Sequence, residues 1–166
     1  MKRFLIVISL SCMVLLANAQ FSSASLEASG VTCSLCSKAI QRALEKVVFV
    51  QQVTVDVKMQ VYSVTFKKNS IVYFDDIQKA VEDAGFSVAS LKVTGNFNNL
   101  QLPKDQNIRI GDQTFYFLNG NGQILDGEKT FTLIDKNFLT PKAFKKYSAS
   151  IRQSTASNIR IYHVII

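Results

Sequence analysis

The chain has 166 residues, a length that suits one domain or two small ones. Hydrophobic residues make up 48% of the chain and charged residues 19%, with only 7 Gly and 2 Pro, which excludes a disordered, collagen-like or disulfide-dense protein. The formal net charge of +7 comes from scattered Lys and Arg rather than from one basic stripe with interleaved aromatics. Nucleic acid is therefore not predicted as a partner.

Residues 1–19 have the three parts of a secretory signal peptide. Lys2 and Arg3 form a basic start, residues 4–16 are an almost unbroken apolar run, and Ala17-Asn18-Ala19 supplies the small residues that a signal peptidase requires. We expect cleavage after Ala19 and a periplasmic or secreted protein. Neither the apolar run nor any later stretch reaches the ~20 apolar residues of a membrane helix, so no membrane span is predicted after cleavage.

The three cysteines are reduced to one close pair by this cleavage. Cys12 is lost with the signal peptide, which leaves Cys33 and Cys36. In an exported protein such a pair can be a disulfide, a redox couple or a soft-metal site.

The first half of the mature chain, residues 22–96, reads as alternating strands and helices. The predicted elements are a short strand that ends at Gly30, a helix over 34–47, a hairpin over 53–58 and 61–67, a helix from Phe74 or Asp75 to Gly85, and a strand over 88–94. In both helices the apolar residues recur every three or four positions; Leu35, Ile40 and Leu44 are predicted to face the core in the first one. This order predicts a ferredoxin-like βαββαβ domain.

The second region is predicted to be a small, mostly β domain over residues 104–166. Residues 95–99 break the strand pattern and Pro103 follows, which indicates a domain boundary within 95–104. Short strands are predicted over 107–110, 114–118, 123–125, 130–134 and 158–166, with a short helix that starts at Thr140-Pro141. The strand number alone would suit a small OB-like barrel. The fold class is therefore α+β.

The paired cysteines lie where a strand gives way to a helix. Cys33 is predicted in the loop and Cys36 in the first helical turn, with Ser34 as the cap; free backbone N–H groups there favour thiolate over thiol. Two thiolates at this spacing can converge on one soft ion such as Cu(I) or Zn(II). A closed structural zinc site needs four ligands, and the one further candidate, His163, is predicted in a distant strand with a structural or surface role.

Two motifs give the first region a family resemblance. One is the run Gly30-Val31-Thr32-Cys33-Ser34-Leu35-Cys36, and the other is Ala84-Gly85-Phe86 after the second helix. With these motifs, residues 25–94 resemble the heavy-metal-associated domain of copper chaperones, of metal-transporting ATPases and of the exported mercuric-ion carrier.

The resemblance implies roles for several residues of the motifs. Cys33 and Cys36 would bind the metal, Val31 would replace the Met that is packed beneath the loop, and Phe86 would shield the site. Thr32 before the first cysteine is similar to copper and mercury binders more than to zinc exporters.

These observations predict an exported soft-metal-binding protein that is not an enzyme. It would carry or sequester an ion, Cu(I) first and Hg(II) or Zn(II) second, by ligand exchange with a metal donor or acceptor such as a metal-transporting ATPase or an envelope metalloprotein. Two alternatives stay open: a thiol-disulfide oxidoreductase, and an interaction module with a structural Cys33–Cys36 disulfide.

Overall fold

A computed structural model describes residues 20–151 and 159–166. The predicted signal peptide lies outside these residues. The strands are β1 (Gln20–Ser29), β2 (Val50–Asp56), β3 (Val61–Phe66), β4 (Ser87–Gln101), β5 (Asn107–Ile110), β6 (Gln113–Phe117), β7 (Ile124–Leu133) and β8 (Ile161–Ile165). The helices are α1 (Ser34–Glu45), α2 (Phe74–Asp83) and α3 (Pro141–Lys145), with a 3₁₀ turn at Lys136–Phe138.

The eight strands form one mixed sheet in the order β2-β3-β1-β4-β7-β8-β6-β5. The first half is the predicted ferredoxin-like unit, with antiparallel β2-β3-β1-β4 and the helices α1 and α2 in the crossovers. The α+β class and the ferredoxin-like fold are confirmed. No helix within the described ranges is long and apolar enough to cross a membrane.

The barrel considered for residues 104–166 is wrong. Its strands stay open and extend the first sheet, because β7 pairs along β4 while β8 lies between β7 and a parallel β6. The long β7 also joins two strands that the sequence predicted separately, over 123–125 and 130–134. The described part of the chain therefore holds one open mixed sheet.

The strand predicted over 88–94 is in fact longer, and β4 continues to Gln101. Its register shifts between Phe97 and Leu100, where Asn99 has a φ of 48° and its N–H donates to Asp126 Oδ1 at 3.2 Å. The Gly and Asn residues of this segment are also typical of strand ends, which explains why the sequence pattern indicated a break. The predicted boundary region thus begins inside a continuous strand.

One aromatic cluster packs against both halves of the sheet. The Phe21 ring lies 5.3 Å from Phe74 and 5.7 Å from Phe115, and Phe74 lies 5.2 Å from Tyr162 in an edge-to-face arrangement. Opposite Phe21, Gly95 leaves the room that this packing needs, since an added Cβ would lie 3.2 Å from the Phe21 ring. The hydrophobic core therefore runs from the ferredoxin-like unit into the C-terminal strands.

Helix α1 differs from its prediction at its first turn. Ile40 and Leu44 are fully buried, as the spacing predicts, but Leu35 is 77% exposed while Ser37 is buried. Leu35 lies in the turn that begins at the cysteine loop. The apolar face predicted for this helix therefore begins later, and an apolar side chain is left exposed between the two cysteines.

Candidate metal centre

The loop between β1 and α1 carries the cysteine pair at one end of the ferredoxin-like unit. Gly30 opens this loop with a φ of +84°, a backbone conformation that L side chains rarely adopt. A Cβ at Gly30 would also lie 3.9 Å from the Phe86 ring. The glycine therefore provides the turn that leads the chain from the sheet into the helix.

Cys33, rather than the predicted Ser34, is the N-cap of α1. Its backbone is extended and its Sγ accepts a hydrogen bond from the Cys36 N–H at 3.1 Å, while its carbonyl accepts from the Ser37 N–H at 3.1 Å. A sulfur at this position faces the unpaired N–H groups and the positive end of the helix dipole. These groups stabilise negative charge on the sulfur.

The structure shows Cys33 and Cys36 joined by a disulfide, with a Cα–Cα distance of 5.2 Å. This is the oxidised form of the pair, and both sulfurs must be reduced before they can bind an ion as thiolates. Cys33 is exposed, whereas Cys36 is half-buried against the core. After reduction, one sulfur would therefore be open to a partner and the other held by packing.

Two contacts of Val31 hold the cysteine loop in place. Val31 is only 7% exposed, so its side chain is an apolar anchor in the core. Its carbonyl accepts a hydrogen bond from Gln60 Nε2 at 2.9 Å, and Gln60 lies in the β2–β3 turn with a φ of 54°. Sequence reasoning missed Gln60, because nothing in a hairpin turn indicates which loop its side chain reaches.

Phe86 lies next to the loop because of how α2 ends. Gly85 has a φ of +89°, its N–H donates to Glu82 O at 2.8 Å, and the Phe86 N–H donates to Val81 O at 3.1 Å. These two bonds form a Schellman motif, which confirms the predicted glycine cap. The motif turns the half-buried Phe86 ring toward Gly30.

His163 does not join the cysteine pair. It lies in β8, is 6% exposed, and its Nδ1 lies 2.8 Å from Asp135 Oδ1, while its backbone N–H donates to Asp135 Oδ2 at 3.0 Å. Across the described ranges, no three side chains of His, Cys, Asp and Glu are grouped so that they could hold one ion. The cysteines are thus the metal-ligand candidates at the loop.

A second polar cluster, unforeseen in the sequence, joins α2 to β8. Asp75 accepts two bonds from Arg160 and a third from the Tyr162 hydroxyl at 3.1 Å. Burial, reinforced by the charge of Asp75, raises the pKa of Tyr162 well above its ordinary value. Burial lowers the pKa of Arg160, but the hydrogen bond to Asp75 and the charge of Asp135 outweigh it, so that this pKa is raised. The cluster contains no cysteine.

The fold and the loop define a ferredoxin-like domain that presents a Cys-x-x-Cys pair at the start of its first helix. Residues 25–87 match the family model described as the heavy-metal-associated domain. No curated protein matches the chain.

Solved structures of similar proteins cover about two-fifths of the chain. Oxidised MerP from Ralstonia metallidurans is 31% identical over 42% of this chain and 97% of its own, with a TM-score of 0.37. The yeast copper transporter domain determined in apo and Cu(I)-loaded states is 28% identical over 39% of this chain and 88% of its own, with a TM-score of 0.35. The CopZ metallochaperone is 26% identical over 41% of this chain and 100% of its own, with a TM-score of 0.38.

Proposed function

We propose that the protein is an exported carrier or store of a soft metal ion, bound by reduced Cys33 and Cys36. The observation that carries this proposal is the position of the pair, at the N-terminus of α1 in a loop whose residues match the heavy-metal-associated family. Heavy-metal-associated relatives are metal chaperones and carriers for copper, mercury and zinc.

The chemistry of two thiolates favours Cu(I). Soft sulfur ligands bind Cu(I) and Hg(II) in preference to hard cations, and both ions accept two-coordinate geometry. Zn(II) prefers four ligands, so a zinc ion at this pair would need further ligands from a partner or from water. Cu(I) is the first candidate, with Hg(II) or Zn(II) as alternatives.

Transfer would proceed by ligand exchange at the exposed end of the site. An incoming thiolate or thioether of the partner joins the ion, a three-coordinate species forms, and one cysteine of this chain leaves as thiolate. Exposed Cys33 gives the partner access, while half-buried Cys36 keeps the ion attached until the new bond has formed. The partner would be a metal donor or acceptor, such as a metal-transporting ATPase or an envelope metalloprotein.

The compartment adds a requirement. In a periplasmic or secreted location, after cleavage of a signal peptide at Ala19, the disulfide competes with metal loading. A carrier there must be loaded in its reduced state or be reduced by an external thiol. The same disulfide also supports a second candidate, an interaction module in which the pair is only structural.

Metal binding by reduced protein under anaerobic conditions tests the proposal. We expect one Cu(I) per chain, loss of most of the affinity in Cys33→Ser and Cys36→Ser, and full binding in the loop control Ser34→Ala, which removes an exposed hydroxyl between the cysteines. Tight one-to-one binding by the double cysteine variant would refute the carrier. Correct folding without any metal affinity in the reduced wild type would favour the structural disulfide.

A further inference from the structure

The end of the ferredoxin-like unit opposite the cysteine loop carries both positive charge and exposed apolar side chains. Lys46 caps the C-terminus of α1 and Val48 follows it with 84% of its surface exposed; Lys67, Lys68 and the 49% exposed Ile71 lie in the β3–α2 connection. These five residues are called the basic pole below. We propose that the basic pole docks on an anionic phospholipid surface.

The two loops of the basic pole are held together as one surface. Lys67 Nζ donates to Val48 O at 2.6 Å, and the Lys67 N–H donates to Phe49 O at 2.9 Å. Ser70 closes the second loop through its N–H and hydroxyl, which both donate to Lys67 O. These hydrogen bonds fix the backbone that carries the exposed Val48 side chain.

The composition of the pole suits a lipid surface better than a protein groove. Cationic side chains lie beside isolated aliphatic ones, so the charges can reach phosphate groups while Val48 and Ile71 enter the headgroup region. The adjacent Glu45 adds one negative charge, and its carboxylate accepts a hydrogen bond from Gln41 at 2.9 Å. Arg42, one turn before Lys46 on α1, adds a further positive charge.

The chain also enters the fold at this pole. Gln20, the first residue of β1, donates from Nε2 to Asn69 Oδ1 at 3.3 Å. Three residues separate Gln20 from the apolar run over 4–16, a reach of about 14 Å at most. Any membrane contact that this segment makes before its predicted cleavage would therefore lie close to the basic pole.

Docking at this pole would leave the cysteines facing away from the bilayer. Helix α1 has 12 residues between the cysteine loop and Lys46, which corresponds to about 18 Å along its axis. Cys33 would therefore stay accessible to a partner while the protein is bound. The proposal goes beyond metal carriage, and its test contains no metal, so that either idea can fail without the other.

Vesicle flotation of residues 20–166, which carry every described element, tests the proposal. We expect binding to phosphatidylcholine vesicles that contain phosphatidylglycerol, and no binding to phosphatidylcholine alone, at about 100 mM salt. Lys46→Glu with Lys68→Glu should weaken binding at least tenfold. The control Lys38→Glu with Lys58→Glu makes the same charge change at the cysteine end and should stay within about twofold.

Tryptophan fluorescence gives the orientation, because the chain contains no Trp. Val48→Trp should shift to the blue on anionic vesicles, and Met59→Trp, placed at the 70% exposed Met59 in the β2–β3 turn, should not. Absence of wild-type binding, equal losses in the two charge variants, or equal shifts at both tryptophans would overturn the proposal. Binding to soluble polyglutamate as tight as to the vesicles would also overturn it, in favour of an acidic protein partner.

Discussion

Asp75 and Arg160 form a two-pronged ion pair across 85 residues of sequence, with Nε–Oδ2 at 2.9 Å and Nη2–Oδ1 at 3.1 Å. Asp75 lies in the first turn of α2, and Arg160 immediately precedes β8. The guanidinium also lies 4.4 Å above the centre of the Tyr162 ring. The pair therefore fastens a helix of the heavy-metal-associated domain to a C-terminal strand.

Removal of this ion pair should destabilise the whole protein modestly. Both side chains are about two-fifths exposed, which screens their attraction, and so we expect Asp75→Asn to lower the free energy of unfolding by about 1 kcal/mol. Urea denaturation of Asp75→Asn, Arg160→Gln and the double variant gives the coupling energy. The neighbouring, exposed Asp76→Asn is the control and should change stability little; additive effects of Asp75→Asn and Arg160→Gln would show that the pair is energetically silent.

Raising the pH above 10 should remove the contribution that Tyr162 makes to the free energy of unfolding. Its pKa is raised in the folded protein above the value near 10 expected in the unfolded chain. Its contribution is fully present below pH 10 and is lost as the pH rises further, because the unfolded state then loses a proton that the folded state keeps. The slope reaches about 1.4 kcal/mol per pH unit for one such group.

Stability measured between pH 9 and 11 checks this prediction, since Tyr162→Phe should flatten the slope. Tyr73→Phe, which removes the hydroxyl of a 46% exposed side chain, serves as the matched control. An unchanged slope in Tyr162→Phe would mean that the phenol ionises no later in the folded protein than in the unfolded chain.

The elements near the cysteine loop were largely predictable from sequence, and the connection between the halves was not. Local signals suffice for Gly85, whose place after an amphipathic helix predicts a cap, and for Pro141, which follows the capping Thr140. Asp75 reads as an ordinary acidic residue at a helix start. Its partner Arg160 lies far along the chain, and only the tertiary fold brings the two together.

The errors in the predicted end of β4 also arise because a distant part of the chain decides the outcome. Residues 95–99 carry the Gly and Asn of a loop, but in the folded sheet Gly95 makes room for Phe21 and Asn99 forms a bulge. Gly and Asn at such positions can either end a strand or continue it with a bulge. The outcome depends on whether a further strand pairs with β4 on the side away from β1. That partner, β7, is encoded about thirty residues later.

Gln60 should tune the metal site without forming part of it. Gln60→Ala removes the hydrogen bond to Val31 O and loosens the loop, and one neutral hydrogen bond of about 1 kcal/mol corresponds to roughly a fivefold loss of affinity. Competition with a Cu(I) chelator measures this change. Gln51→Ala, at an exposed position of β2, should leave the affinity unchanged; an equal affinity in Gln60→Ala would show that the loop keeps its shape without this contact.

The ferredoxin-like unit should fold and bind metal without the C-terminal strands, but with lower stability. A fragment of residues 20–101 keeps every strand and helix of the unit, yet it loses the pairing of β4 with β7 and the ring contacts of Phe21 and Phe74 with Phe115 and Tyr162. We expect a cooperative melt several degrees below that of the full chain. An unfolded fragment would mean that the two regions form one inseparable core.

Catalytic turnover separates a carrier from a thiol-disulfide oxidoreductase. Both classes place a thiolate at a helix start, but an oxidoreductase must also resolve mixed disulfides rapidly, a step that benefits from a nearby proton acceptor. Asp75 is bound to Arg160, and Asp135 is bound to His163 on β8. These groups are therefore held by the C-terminal strand rather than by the cysteine loop. We therefore expect insulin reduction no faster than with free dithiothreitol, while Cu(I) exchange with a thiol chelator is fast and reversible. Insulin reduction at the rate of a thioredoxin, abolished by Cys33→Ser and retained in Ser34→Ala, would establish the oxidoreductase instead.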